Sequence, residues 1–294
     1  MTSADLDAAA GGTWQFDGDG RTVTRMGYGA MQLAGPGVFG PPANRDNSLA
    51  VLRRVVELGI THIDTSDFYG PYVVNELIRE ALHPYPANLV LVTKVGARRD
   101  EQGGWLEAFE PNELGKAVED NLAHLGIDTI DLVNLRMPGL AGPEEREIGK
   151  QFETLADLRE RGLIRHLGLS NATIAQVEAA RAIAPVAQVQ NAFNVVDRGN
   201  AAMVEYCAAQ GIAYVPFFPL GSAFRPMSSD VLSAVAARRG ATVQQIALAW
   251  LLARSPSILL IPGTSSVAHL EQNVAAANTV LTEDDLAQLD TIEN

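Results

Sequence analysis

The feature that most limits how this chain can fold is a repeated alternation. Short apolar runs over residues 26–31, 62–65, 89–94, 129–136, 164–170, 186–191, 212–217 and 257–261 read as strands. Between and after them, segments over 47–58, 73–82, 111–125, 144–161, 174–183, 199–210, 229–239, 243–254 and 267–276 carry apolar residues at helical spacing, and Thr282 caps a last helix. Strands that alternate with helices form a parallel sheet, and near-continuous apolar strands indicate a sheet covered on both faces. Eight such units in about 250 residues fit a closed (β/α)8 TIM barrel. An open doubly wound sheet would carry Gly-x-Gly-x-x-Gly after its first strand. Here Gly27-x-Gly29 runs into Ala30-Met31-Gln32, so that fingerprint fails.

The flanks add little. Residues 13–25 place two alternating arms around Asp-Gly, a β-hairpin signal. Residues 1–12 are acidic and rich in Ala and Gly, without the features of a signal peptide, and are expected to be a frayed tail. The expected organisation is that tail followed by one barrel domain over 13–294. Hydrophobic residues make up 47% of the chain, enough for a large core, yet no run is long enough to span a membrane. A net charge of −13 argues against a nucleic-acid partner, which needs a basic face. The single cysteine, Cys207, rules out an internal disulfide and a Cys/His metal cluster, and falls in a helical pattern as a core residue. A reduced, cytoplasmic protein is the expectation.

In such a barrel the chemistry lies at the C-terminal ends of the strands. Strand two ends at Asp64, with Tyr69-Gly70 five residues on, and strand three ends at Lys94. An ammonium beside a phenol favours the phenolate and lowers the phenol's pKa, and a carboxylate fixes the ammonium. The three together form a proton-delivery device. Strand four ends in Asn134 and Arg136, strand five in Ser170-Asn171, and strand six in Gln188, Gln190 and Asn191. Amides at neighbouring strand ends suit a carboxamide such as nicotinamide, although Ser170-Asn171 also stands where a helix cap is needed. Strand seven runs into Phe217-Phe218-Pro219-Leu220-Gly221-Ser222. Strand eight ends in Ile261-Pro262-Gly263-Thr264-Ser265-Ser266, a hydroxyl-rich turn opening a helix, which suits either a phosphate or simple capping.

These segments carry a resemblance. Asp64-Thr65-x-x-x-Tyr69-Gly70, the strand-end Lys94, Gly168-Leu169-Ser170-Asn171, Gln188-x-Gln190-Asn191, Pro219-Leu220-Gly221-Ser222 and Ile261 to Ser266, continued by His269-Leu270-Glu271-Gln272-Asn273, occur in order at barrel spacing. The chain resembles an aldo-keto reductase over nearly its whole length. The resemblance implies NAD(P)H-dependent reduction of a small-molecule carbonyl substrate to an alcohol, without metal. Tyr69 would protonate the carbonyl oxygen, Lys94 would lower the Tyr69 pKa and Asp64 would hold Lys94. Ser170, Asn171 and Gln190 would bind the carboxamide, and Phe217 stands where the family stacks a tyrosine on the nicotinamide. The Leu220-Gly221-Ser222 loop and Gly263, Thr264, Ser265 and Ser266 would hold the phosphates, with Gln272 and Asn273 near the adenine.

Two departures stand out. The family's active-site histidine at the end of strand four falls on Arg136, within Asp131-Leu132-Val133-Asn134-Leu135-Arg136. Arginine donates hydrogen bonds and stabilises developing negative charge but gives up no proton at working pH, so it should orient the substrate and favour an acidic or electron-rich one. Simple pairing with a carboxylate is the plainer alternative. Family members that prefer NADPH often carry a lysine after Ile-Pro and an arginine beyond it; here Gly263 and His269 stand there. NADPH is the first expectation and NADH the alternative. A cofactor-binding regulatory subunit with weak turnover competes with the enzyme, and a Schiff-base lyase using Lys94 is disfavoured because Asp64 would raise the lysine's pKa. His62 is expected to point away from the site and Asp67 to be solvated. The loops around 36–44, 97–110, 138–143 and 224–228 are expected to set specificity.

Overall fold

The structure, a computed structural model, describes residues 6–139, 142–221, 227 and 229–292. The hairpin forms first: β1 (Thr13–Gln15) pairs antiparallel with β2 (Thr22–Thr24). β3 (Tyr28–Gly29), α1 (Arg45–Glu57), β4 (His62–Asp64), α2 (Val73–Leu82) and β5 (Val90–Val95) follow. An antiparallel excursion, β6 (Ala97–Arg99) and β7 (Trp105–Glu107), then interrupts the rhythm. α3 (Pro111–Leu125), β8 (Ile130–Arg136), α4 (Gly149–Glu160), β9 (Ile164–Ser170), α5 (Ile174–Arg181), β10 (Val186–Gln190), α6 (Ala201–Gln210) and β11 (Ala213–Tyr214) resume it. α7 (Asp230–Arg239), α8 (Val243–Arg254), α9 (Val267–Ala275) and α10 (Glu283–Leu289) complete the order.

Seven parallel strands pair in the order β11-β10-β9-β8-β5-β4-β3. Residues 257–263 close the ring as isolated bridges. Leu259 N donates to Tyr214 O at 2.9 Å on one side, and Gly27 N donates to Leu260 O at 2.8 Å on the other. The eighth strand expected over 257–261 is therefore present as a seam rather than a regular ladder, and the (β/α)8 architecture is complete.

Alternation divides the strand residues into two cores. Ile63, Leu91, Val133, Leu135, Leu167, Leu169 and Val189 face the helices. Val90, Val92, Leu132, Ala213, Val215, Leu259 and Ile261 fill the lumen, where Phe16 and Val23 of the hairpin plug the base. A barrel interior packed in this way admits few polar side chains below the mouth, His62, Asn134 and Gln188 among them.

Two expectations are corrected here. The tail is not frayed throughout: residues 8–11 form a 3-10 helix capped by the Asp7 carboxylate, and Ala8 is buried against the core. A few small apolar residues suffice because Ala8 N donates to Leu58 O at 2.9 Å. Strand one, expected over 26–31, gives way after Gly29 to a 3-10 helix over Ala30–Leu33. A side chain at Gly29 would meet the Ile261 carbonyl at 2.5 Å, so the residue lets the closing strand approach.

Candidate active site

β4 and β5 are hydrogen-bonded neighbours, which brings their C-terminal ends together. Lys94 Nζ donates to Asp64 Oδ1 at 2.5 Å and to Thr65 O at 3.2 Å. The same ammonium lies 5.3 Å from the centroid of the Tyr69 ring. The turn after Asp64 folds Tyr69 back over the mouth: Tyr69 N donates to Ser66 O, and Gly70, at φ +95°, donates to Val38 O. Behind the turn, Thr65 Oγ1 donates to Asn75, Asn75 Nδ2 to Asn121 at 2.9 Å, and Thr93 Oγ1 to Asn121 at 2.6 Å. This buried polar lattice ties the turn to α2 and α3, so the phenol is held by rigid elements. A buried lattice of this kind is stable because each member finds a partner.

The electrostatics differ in one respect from the expected lowering of the Tyr69 pKa. Burial raises it, and Lys94, which pulls it down with help from Arg136, does not overcome burial. The phenol is thus held protonated, the state a proton donor needs. For Lys94 burial favours the neutral amine, yet Asp64 and Tyr69 together raise its pKa above the ordinary value. A lysine so held is a fixed cation, the opposite of what a Schiff-base nucleophile requires.

Arg136 ends β8 beside the same cleft. It donates to Met137 O at 3.1 Å and Gly139 O at 3.3 Å, and no carboxylate pairs with it among the described residues. Burial lowers its pKa, opposed by the Coulombic pull of Tyr69. Gly96, at φ +116°, passes so close that a side chain there would meet the Arg136 carbonyl at 2.4 Å. The excursion β6–β7, expected only as a loop over 97–110, brings Trp105 into the cleft wall. The Arg99 guanidinium lies 4.2 Å from the Trp105 ring and that of Arg136 5.9 Å. Phe68 meets Trp105 edge-on at 5.4 Å.

Asp64, Tyr69, Lys94, Arg136, Ser170, Asn171, Phe217, Leu220, Gly221 and Gly263 all line this cleft, with Phe218 and Gln32 as lining residues outside the expected set. Phe218 adopts φ +55°, a strained conformation for an aromatic residue, and meets Phe217 edge-on at 5.3 Å. Asn171, also at positive φ, donates to the carbonyls of Pro138, Gly139 and Gly142. Gln190 sits deeper and is fully buried. Its Nε2 donates to the second oxygen of Asp64 at 2.6 Å, and its Oε1 has no partner among the described residues. Asp64 is therefore anchored from two sides, a role for Gln190 that spacing alone does not reveal.

At strand eight, Thr264 Oγ1 accepts from Ser266 N at 3.1 Å, and the Ser266 hydroxyl accepts from His269 N as the cap of α9. Capping does not use up these hydroxyls, because each keeps its own O–H as a donor. Ser265, His269 and Gln272 are exposed along this face, whereas Asn273 is buried. Ser222 and residues 224–226 and 228 of the expected specificity loop lie outside the described residues.

Two residues set aside in the sequence are placed differently. Asp67 is buried, not solvated. Burial without a cation pushes its carboxyl up to about 7, opposed by the Ser66 hydroxyl and reinforced by Asp120. His62 shares the lumen face with Asp64, because residues two apart on a strand point the same way. It fills the layer beneath, where a side chain on Gly27 would strike its ring at 2.1 Å, and neither ring nitrogen has a partner. Burial pulls its pKa down to about 4.

Residues 25–294 match the model of the "Aldo/keto reductase family". The chain is 57% identical over 274 residues to a pyridoxine 4-dehydrogenase of Escherichia coli K12, covering 92% of this chain and 96% of that protein. A thermostable aldo-keto reductase solved with the inhibitor epalrestat superposes with TM-score 0.80 at 27% identity, over 95% of this chain and 99% of that one. An aldo/keto reductase from Klebsiella pneumoniae, solved with NADP and acetate, gives TM-score 0.76 at 27% identity, over 95% of this chain and 94% of that one. The barrel, its paired Asp64 and Lys94 and the buried phenol before them are accounted for together: the chain is an oxidoreductase of the aldo/keto reductase family.

Proposed function

We propose that the chain interconverts an aromatic aldehyde and its primary alcohol with NADPH as the preferred cofactor, pyridoxal being the first substrate to test. The observation that carries this reading is the Lys94 ammonium fixed between Asp64 and the Tyr69 ring at the floor of the cleft. The similar Escherichia coli protein is named for the oxidation of pyridoxine at position 4, which is the same interconversion taken from the alcohol.

When bound, the reduced nicotinamide supplies a hydride to the carbonyl carbon. The chain's own residues do the rest. Tyr69, held protonated by burial, gives its proton to the carbonyl oxygen as that oxygen gains charge. The phenolate left behind is stabilised by Lys94 and Arg136, both of which pull the Tyr69 pKa downward. Asp64 keeps Lys94 charged and in place, and Gln190 keeps Asp64 in place. Arg136 orients the substrate with donors that lose no proton at working pH.

The residues fit a nicotinamide dinucleotide. Gln190 Oε1 is a buried acceptor without a partner, which a carboxamide N–H would satisfy. Ser170 and Asn171 line the cleft beside it, and Phe217 offers a ring face. The cleft holds about 240 Å³, less than the several hundred Å³ of a typical complete ligand pocket. It therefore suits the nicotinamide end with a small substrate, leaving the phosphates to the Gly221 and Gly263–Ser266 rims. The preference for NADPH rests on Ser265, Ser266 and His269 as partners for the ribose phosphate, and on the NADP in the Klebsiella relative.

The test is oxidation of NADPH and of NADH by the purified chain with pyridoxal and a panel of other aldehydes. A higher kcat/KM with NADPH is expected. Absence of turnover with every aldehyde, despite quenching or enhancement of nicotinamide fluorescence on binding, would favour a cofactor-binding subunit instead.

A further inference from the structure

We propose that Arg136 and the aromatic wall around Trp105 select aldehydes whose ring carries an ionisable oxygen next to the formyl group, the guanidinium bridging that oxygen and the carbonyl oxygen. The proposal rests on the carbonyl-reduction reading and goes further in naming what the substrate must carry.

Arg136 is a cation with an unfilled set of donors. A guanidinium has five N–H groups in a fixed fork. Arg136 directs one bond to Met137 O and one to Gly139 O, and no further protein acceptor is found among the described residues. Other arginines of the chain meet carboxylates: Arg45 with Glu80, Arg146 with Glu107, and Arg238 and Arg239 with Asp285. Arg136 is more buried than these and faces the cleft, where the Tyr69 phenol pulls on its charge and the Trp105 ring lies 5.9 Å away. A partly desolvated guanidinium without an anion gains most from a ligand that brings one.

The wall beside it specifies the shape of that ligand. The Trp105 ring lies near the guanidinium groups of both Arg99 and Arg136, and Phe68 meets it edge-on. Arg99 is itself fixed by the carbonyls of Val38, Gly37 and Gly103, so the indole is braced. Phe217 and Phe218 line the same cleft. Flat rings stack well on such surfaces. A ring lying there with its formyl oxygen toward Tyr69 has an adjacent substituent near Arg136, and two neighbouring oxygens match the fork of a guanidinium better than one. Pyridoxal carries a hydroxyl on the ring carbon next to its formyl group, acidified by the ring nitrogen.

The test compares 3-hydroxypyridine-4-carbaldehyde with pyridine-4-carbaldehyde, which differ only in that oxygen, using the holoenzyme and the variants Arg136→Met and Trp105→Leu. The unsubstituted aldehyde and the variant together correct for intrinsic reactivity. Arg136→Met is expected to lower kcat/KM for the hydroxylated aldehyde at least about 10-fold more than for the plain one, since a site built to bond a substrate oxygen discriminates strongly against its absence. Trp105→Leu should raise KM for both with a smaller change in kcat. NADPH affinity by fluorescence titration should stay within about 3-fold in Arg136→Met, which separates a substrate contact from a collapsed site. Equal losses for the two aldehydes overturn the proposal. Failure to reduce either aldehyde, or any other, removes the function on which it rests.

Discussion

The two ends of the barrel handle charge in opposite ways. At the mouth, Asp64 and Lys94 are almost completely buried and bonded to each other. At the base, the lumen is sealed by Phe16 and Val23, and half-open cations gather around one buried carboxylate, Asp131. There Arg21 pairs with Asp131 at 2.8 Å, and Arg165 reaches the same carboxylate at 3.4 Å. His166 lies 3.2 Å from Asp19 and stacks on Phe16. A buried ion pair recovers its desolvation cost only with good geometry, and apolar residues would often stabilise the fold as well or better. The mouth accepts that cost where charge is needed next to a reacting oxygen. The base buries only the carboxylate side of its ion pairs, keeps the cations partly in water, and draws on apolar area for stability.

Four changes probe this division, beginning with the largest expected effect. Tyr69→Phe removes the proton donor and leaves the packing, so kcat should fall by about 10³-fold or more with thermal stability and cofactor affinity nearly unchanged. A variant that retains turnover would show that the mouth's buried charges serve something other than proton delivery. Phe16→Ala opens a cavity in the plug and should cost about 3–5 kcal/mol in chemical denaturation, with kcat per folded molecule preserved. Loss of kcat without loss of stability would mean that the base also governs the site.

The third change concerns pH. The Asp67 carboxyl is held up at about 7 by burial, so it favours the fold while protonated. That contribution is complete below the ordinary carboxyl range and is lost as pH rises through about 7. His62, pulled down to about 4, acts in the reverse sense and costs stability as pH falls from about 6.5 toward 4. Asp67→Asn should therefore remove the loss of stability that Asp67 causes between about pH 4 and 7, by up to a few kcal/mol, and leave the opposing His62 titration to make stability rise with pH across that window. An unaltered profile across that window would place the titration elsewhere. Last, Arg21→Gln at the rim leaves the buried Asp131 carboxylate its Arg165 partner and its bond from Leu91 N, so it should cost no more than about 1 kcal/mol, and less in high salt. A larger loss would mean that the base depends on charge after all.

Much of this was legible in the chain. The strand–helix alternation predicted the barrel, and the C-terminal ends of the predicted strands supplied Asp64, Lys94, Arg136, Ser170 and Asn171 to one cleft. What stayed hidden depends on burial, which a sequence does not display. Asp67 read as a solvated loop residue because its neighbours are polar, yet the Thr65–Asn75–Asn121 lattice encloses its turn. Lys94 is where the spacing put it, but the net effect on Tyr69 is set by desolvation rather than by charge. The β6–β7 excursion was masked by Gly103-Gly104 and a run of charges, so Trp105 came into view only with the fold. Gln190 read as a carboxamide ligand; its bond to Asp64 depends on the curvature of the lumen.

Trp105 has a practical consequence. Of the three tryptophans, Trp250 is sealed in the core against Phe193, Trp14 belongs to the basal hairpin, and Trp105 alone lines the cleft. Its indole, partly open to solvent and near two guanidinium groups, is a built-in optical reporter. A dinucleotide or aldehyde entering the cleft should quench its emission while the other two indoles supply a steady background, and Trp105→Phe should erase that signal without unfolding the barrel.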